Sequence, residues 1–309
     1  MSLDFNTVKI LLWGKNLGVS YKRTLTLGHQ GLSCTPHQLR RAARDFGLNA
    51  SREQLDRCFE HEAISTLYSD EFLRLLGTEE LAIVDRSDFE RATKLHDLNE
   101  PFPESDRASY SVVLDGGTLE HIFNYPAALR HCLEVVQPGG HFITITPANT
   151  WIGHGFYQFS PELFFRVFNE QNGFRLRKIV LFDFLKSDAP FFEVLDPAVT
   201  GLRTRLFSSR PMQLAVLAQR TAELPVLVHP PQQSDYVASW ERHRERNADP
   251  NATPLSLQWR IRLALSPYWP RWLKRWKNAI LIARQYGPAK LSNRLQFRRL
   301  SPAEICRER

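Results

Sequence analysis

Four carboxylates and two histidines stand out for where they fall in the chain. Asp85 ends the run LAIVD, Asp97 ends TKLHD and Asp115 ends YSVVLD, each closing a short segment rich in β-forming residues. A carboxylate at such an end is placed to accept hydrogen bonds from a bound hydroxyl or amide, although a plain turn role also suits it. Beyond Asp115 the chain reads Gly116, Gly117, Thr118, Leu119, Glu120, His121. An imidazole titrates near neutrality, so His121 could take a proton from an acceptor, or it could simply start a helix and pack there. Glu120 could touch a bound ligand or favour the helix start through its charge. Further on, GHGFYQF carries His154 and Tyr157 in an aromatic loop. These two would face an acceptor, unless Trp151, Phe156 and Phe159 pack the loop as an ordinary lid.

The elements that must position these groups alternate strand with helix. TLTLG (Thr24 to Gly28), LAIVD, TKLHD, YSVVLD and HFITITP (His141 to Pro147) read as strands. Helices are expected from Pro36 to Phe46, where Thr35 caps and Gly47 closes, and over residues 126 to 136, stopped by Pro138-Gly139-Gly140. Ser160-Pro161-Glu162 begins a further short helix. Phe174 to Phe184 and Met212 to Arg220 are long apolar runs that can pair antiparallel at one sheet edge. The pattern is that of an α/β sheet with helices on both faces.

The stretch VVLDGGTLEHIFNYPAALRHCLEVVQPGGHFITITPAN, Val112 to Asn149, resembles the class I S-adenosylmethionine-dependent methyltransferases: a strand ending in Asp, a following L-E-H-I, an amphipathic helix, then P-G-G before the next strand. The resemblance covers about residues 24 to 220. It implies a doubly wound, seven-stranded, mostly parallel Rossmann-like sheet with antiparallel sixth and seventh strands, and S-adenosylmethionine as cofactor. It implies further that Asp85 accepts hydrogen bonds from the ribose hydroxyls, that Asp97 and Leu98 lie beside the adenine, and that Asp115, Gly116 and Glu120 line the crevice where methyl transfer occurs. The family's first loop, E/D-x-G-x-G-x-G, is altered here to Leu27-Gly28-His29-Gln30-Gly31-Leu32-Ser33, which keeps two glycines and lacks the acid. Gly28, with His29 or Gln30 in place of that acid, is then expected to meet the methionine end.

Other chemistries lack their signatures. There is no G-x-G-x-x-G after the first strand, no G-x-x-x-x-G-K-[ST], no G-x-S-x-G, and neither H-E-x-x-H nor a C-x-x-C pair, so no metal site is expected. Asp115-Gly116-Gly117-Thr118 stands where base-amino methyltransferases would resemble N/D-P-P-Y/F. The acceptor is therefore expected to be a hydroxyl or amine of a small molecule, sugar or glycolipid, with His121, His154 and Tyr157 as catalytic candidates.

Composition sets the outer bounds. The 309 residues are 43% hydrophobic and 24% charged, near the globular norm, with no apolar run long enough to span a bilayer. Asp4 stands where a signal peptide would be basic, so a cytoplasmic protein is expected, with Cys34, Cys58, Cys132 and Cys306 as reduced thiols. Charge is uneven. Residues 256 to 309 hold 13 Lys and Arg against Glu304 and Glu308, whereas the rest carries 27 basic and 31 acidic side chains. The expected organisation is an α/β domain over 1–222, a Pro-rich linker over 223–256 and a basic extension over 257–309. Within the extension, residues 266–287 place Trp272 and Trp276 on one helix face, with Arg271, Lys274 and Arg275 largely off it. Such a helix can dock on the body, lie on the anionic inner membrane face, or bind nucleic acid, the last disfavoured because no recognition motif accompanies it. Two rivals to an enzyme follow: a non-catalytic scaffold that keeps the fold, and an adaptor acting through the basic segment.

Overall fold

A computed structural model describes residues 2–60, 67–248, 275–276, 280 and 288–307 of the chain. These divide into two compact units: residues 1–194, 208–231 and 298–309, and residues 195–207 and 232–297.

The first unit is built on the expected sheet. Its parallel strands are β2 (Arg23–Leu27), β4 (Glu80–Asp85), β5 (Lys94–Leu95), β6 (Tyr110–Asp115) and β7 (Val136–Asn149). They are followed by β8 (Phe174–Asp183), β9 (Phe192–Val194) and β10 (Met212–Arg220), and the short β11 (Phe297–Arg299) lies at one edge. The order is β11-β9-β8-β10-β7-β6-β2-β4-β5. Pairing is parallel from β5 to β7, and β10 runs antiparallel to both β7 and β8. Two edge strands, β9 and β11, raise the count from the seven expected to nine. Each is only three residues long, too short to leave an alternation in the sequence. A separate two-stranded sheet pairs β1 (Ser2–Asp4) with β3 (Gly31–Ser33).

Because β2 is followed on one side by β4 and β5 and on the other by β6 and β7, winding reverses between β2 and β6. A crevice outside the carboxyl ends of those two strands is where an open α/β sheet binds its ligand.

Helix α1 (Phe5–Asn16) packs against α2 (Pro36–Asp45), and Leu11, Leu39, Phe72, Leu114, Ile143 and Val180 share one core on that face. The expected start of α2 is realised as a reciprocal cap: the Thr35 hydroxyl accepts from the Gln38 amide while the Gln38 side chain accepts from the Thr35 amide. The shorter α3 (Arg52–Arg57) and α4 (Asp70–Leu76) follow. On the chain between β6 and β7, α5 (Tyr125–Glu134) buries Ala128, Leu129, Cys132 and Leu133. Pro138-Gly139-Gly140 lies within β7 as an irregularity, pairing shifting from Tyr110–Val136 to Val112–His141. A Cβ on Gly140 would stand 2.9 Å from the Ser111 carbonyl oxygen, so only glycine brings the two strands together there. After β7, α6 (Pro161–Val167) opens at the Ser160 cap as expected.

Two boundaries are corrected. The residues expected as a linker contain α8 (Ser234–Ala248), which with α7 (Pro197–Thr200) belongs to the second unit. Tyr236 and Trp240, one helical turn apart, stack at 6.1 Å, and Arg203 pairs with Asp235 and lies over the Tyr236 ring, contacts that the polar composition hid. The end of the expected basic extension returns to the first unit. Leu300 donates to the Phe191 carbonyl, and α9 (Pro302–Arg307) sets Ile305 and Cys306 against the core.

Of residues 266–287, Arg275, Trp276 and Ile280 are described, all exposed; the helix face and membrane contact expected for the rest lie outside the described residues. No helix among the described residues is long and apolar enough to cross a membrane. The four cysteines are free thiols, three of them buried.

Candidate functional site

The turn after β2 defines one wall of the crevice. Gly28 takes φ +70°, a left-handed value that glycine adopts without cost, and the chain then turns His29 and Gln30 inward. His29 is part of the wall: its Nε2 is 2.8 Å from the Asp70 carboxylate, its Nδ1 is 2.7 Å from the Glu90 carbonyl oxygen, and its ring stacks on Tyr68 at 3.5 Å. Both ring nitrogens are committed, so His29 does not replace the acid missing from the loop. Gln30 is buried beside the carboxyl end of β2. Its Nε2 donates to the Leu27 carbonyl oxygen at 2.6 Å, while its Oε1 is buried without a partner. That oxygen sits against Gly116, where a Cβ would meet it at 2.1 Å. The Thr118 hydroxyl reaches the same Leu27 carbonyl at 2.6 Å and ties the turn after β6 to the end of β2.

Asp85 ends β4 as expected, whereas β5 is only Lys94–Leu95, shorter than the expected Thr93 to Asp97, and leaves Asp97 two residues beyond it. Asp85 Oδ1 accepts from the Ser87 amide at 3.2 Å. Asp97 Oδ1 accepts from the Asn99 amide and side chain at 3.0 and 2.7 Å, bonds that hold its carboxyl below the usual range. Each carboxylate thus closes a local turn with one oxygen. Leu98 is buried.

Asp115 is 1% exposed and saturated. One oxygen takes the amides of Gly117, Thr118 and Leu119, and the other takes the Thr144 hydroxyl at 2.7 Å. Burial raises its pKa. It winds the turn Leu119–His121 so that Glu120 points inward, also 1% exposed, and His121 points to the surface. Burial, then the neighbouring Asp115, pushes the Glu120 carboxyl up to about 8. His121 is held below the ordinary imidazole value by partial burial and by His154.

The loop after β7 closes back on this turn. Its Phe156 amide donates to the Glu120 carbonyl at 2.8 Å, and Gly155, at φ +66°, passes so close that a Cβ would stand 2.8 Å from that oxygen. His154 Nε2 comes to 3.6 Å from Glu120 Oε1, and its ring stands edge-on to His121 with centroids 5.0 Å apart. The ligating atoms of Glu120, His121 and His154 all lie within 4.8 Å of one another. Tyr157 does not join them: its hydroxyl donates to the Phe123 carbonyl at 2.6 Å and fastens the loop. Exposed Phe123, Ile152 and Phe156 form an apolar rim.

Sequence reasoning missed Thr144 and Thr146. Thr146 lies 3.4 Å from Glu120 Oε2, and the two threonines, two residues apart in β7, point to the same face. Alternating threonines in the otherwise apolar HFITITP were the available signal.

The sheet is doubly wound and mostly parallel, extended by an antiparallel pair, as expected from the sequence. No protein-family model matches the chain, and no curated protein matches it. Solved structures are similar. A methyltransferase candidate from Bacillus halodurans C-125 is 10% identical over 71% of this chain and 99% of its own, with a TM-score of 0.38. The trans-methyltransferase CalH, in complex with SAH, is 15% identical over 70% of this chain and 57% of its own, with a TM-score of 0.36. The branched-chain polyamine synthase of Thermus thermophilus is 13% identical over 75% and 60%, with a TM-score of 0.35. At these identities the likeness is one of fold.

Proposed function

We propose that the protein is an S-adenosylmethionine-dependent methyltransferase acting on a hydroxyl or amine of a small molecule, sugar or glycolipid. The observation that carries this reading is the convergence, at the point where the sheet's winding reverses, of Gln30, Asp85 and Asp97 with the turn from Asp115 to His121. One feature suits the cofactor: Gln30 Oε1 is a buried acceptor with no hydrogen-bond partner among the described residues, lying against the bare backbone of Gly116. When bound, S-adenosylmethionine supplies a methyl group already activated on a sulfonium sulfur.

The protein's own residues then have simple tasks. Asp85 accepts hydrogen bonds from hydroxyls at the ribose, Asp97 and Leu98 border the base, and Gln30 Oε1 accepts from the ammonium end. His121, exposed and below the ordinary imidazole pKa, is neutral at physiological pH and able to take the proton of an acceptor hydroxyl. His154 and the rim of Phe123 and Phe156 hold the acceptor over the turn and exclude water.

One observation favours the scaffold reading instead. Gln30 and Thr118 both bond the Leu27 carbonyl, and Gln30 Oε1 stands against Gly116, so the turns after β2 and β6 are closed on each other. Calorimetric titration of the full chain with S-adenosylmethionine and S-adenosylhomocysteine separates the two. Micromolar binding is expected, weakened on the order of 10- to 100-fold by Asp85→Ala, since each hydrogen bond to a charged group contributes about 1.5–3 kcal/mol, and about 10-fold by Gln30→Ala. No heat with either ligand would leave the scaffold standing.

A further inference from the structure

We propose that Glu120, His121 and His154 form a binding site for a divalent first-row transition ion of the zinc type. Two imidazoles and one carboxylate are a donor set that suits such ions, whereas magnesium and calcium take oxygen donors. The spacing of one pair fits as it stands. Bonds of about 2.0–2.2 Å at a tetrahedral angle hold ligand atoms roughly 3.3–3.6 Å apart, and His154 Nε2 and Glu120 Oε1 are 3.6 Å apart. One nitrogen of each ring and one Glu120 carboxylate oxygen lie within 4.8 Å of one another, so His121 closes on the ion by a small side-chain movement.

Charge argues the same way. Glu120 and Asp115 are each 1% exposed, and among the described residues the ion-pair partner of Glu120 is His154 alone. Asp115 has four hydrogen-bond donors around it, whereas the Glu120 carboxylate has its own backbone amide and the Thr146 hydroxyl at 3.4 Å. A carboxyl so buried ionises when a cation replaces its proton, and a dication between Glu120 and two imidazoles is such a cation.

The surroundings are built to hold the three groups in place. The left-handed Gly155 presses the loop against Glu120. The Trp151 ring lies 5.1 Å from that of His154 and is itself fixed by its Nε1 donating to the Met212 carbonyl and its amide to Gln158. Thr146 holds the second oxygen of Glu120, as outer partners of metal ligands do. His121 and His154 are exposed, so a fourth position opens to the acceptor side. There an ion would bind an acceptor oxygen and acidify it; this last role rests on the methyl-transfer reading, but ion binding does not.

The test is titration of the full-length protein, stripped with a chelator, with Zn(II) and with Co(II) as a spectroscopic surrogate. One equivalent is expected to bind at micromolar concentration or below, with visible Co(II) bands of a four-coordinate site. His154→Ala, His121→Ala and Glu120→Gln should each weaken binding about 100-fold. Thermal unfolding in chelator establishes that each variant is folded, and His154→Ala, in an exposed loop, decides if Glu120→Gln is not. Absence of stoichiometric binding, or binding unchanged in His154→Ala because the ion sits on other histidines, overturns the inference. Cofactor titration of the same stripped protein keeps the questions apart: cofactor heat without metal binding sinks only the metal site, and the reverse only the methyltransferase reading.

Discussion

Replacing Gly155 by alanine should unlatch the loop that carries His154 while leaving the sheet intact. The added methyl meets two obstacles. At φ +66° an L-residue is disfavoured by about 1–2 kcal/mol. Its Cβ would also stand 2.8 Å from the Glu120 carbonyl oxygen and 3.1 Å from Glu120 Cγ. Relieving that overlap moves the loop by about half an ångström and weakens the Phe156 N–H bond to the same oxygen, worth on the order of 1 kcal/mol net. Together these come to about 2–3 kcal/mol, or roughly a 30- to 150-fold fall in the occupancy of the closed loop. Hydrogen exchange of the Phe156 amide reads this directly, and its protection should fall by that factor while amides of β6 and β7 keep theirs. Gly155→Asn separates the two causes, because asparagine tolerates left-handed backbone but carries the same Cβ. If close approach dominates, asparagine does not restore protection. Phe156 exchange in Gly155→Ala equal to that of the parent protein would refute the idea that Gly155 holds His154 beside Glu120.

Two predictions concern stability. Burial, then Arg177, pushes the His141 imidazole down to about 4. The unfolded chain takes up a proton below about 6.5 while the folded one resists until about 4, so this stability is present above 6.5 and is lost as pH falls from there through 4, by at most about 3 kcal/mol. Urea unfolding of His141→Leu should show a shallower pH slope in that window; an identical slope would discard the assignment. Arg220, fully buried, donates through Nη1 to the carbonyls of Glu134 and Val136 and joins the end of α5 to the start of β7. Arg220→Met should cost about 2–4 kcal/mol in denaturant unfolding, and Arg220→Lys should recover only part because its single amine cannot reproduce the fork. A loss below 1 kcal/mol would show that the buried guanidinium is dispensable.

What the sequence made legible was local, and what it concealed was long-range. Thr35-Pro36 and Ser160-Pro161 start helices because cap and first-turn chemistry act within four residues. The ends of β4 and β6 were readable because the apolar run stops at an acid. Helix α1 left no such mark: nine of its twelve residues are buried, so no polar face breaks the run into a helical period. Of the candidate site residues, Glu120, His121 and His154 are brought together and Tyr157 is not, which depends on the direction in which the loop returns across 34 residues. Gly153 and Gly155, both at positive φ and flanking His154, were the trace of that return in the sequence.

The altered loop after β2 changes where the crevice keeps its negative charge. In the pattern the chain resembles, an acid on the first loop faces the cationic end of the cofactor; here Gln30 offers only the partial charge of an amide oxygen. Two buried carboxylates stand instead at the neighbouring strand and the turn after it, Asp115 at the end of β6 and Glu120 in Leu119–His121. Asp115 is surrounded by three amides and one hydroxyl, whereas Glu120 has its own backbone amide and a long bond to Thr146, and burial keeps its proton on until about pH 8, so its charge appears when a cation replaces that proton. Any cation entering this crevice, whether a sulfonium or a metal ion, is therefore drawn toward Glu120 rather than toward the first loop. Glu120→Gln should for that reason weaken binding of either cation, whereas Glu79→Gln, exposed and salt-bridged to Lys22 before β4, should weaken neither, since its charge is screened by water.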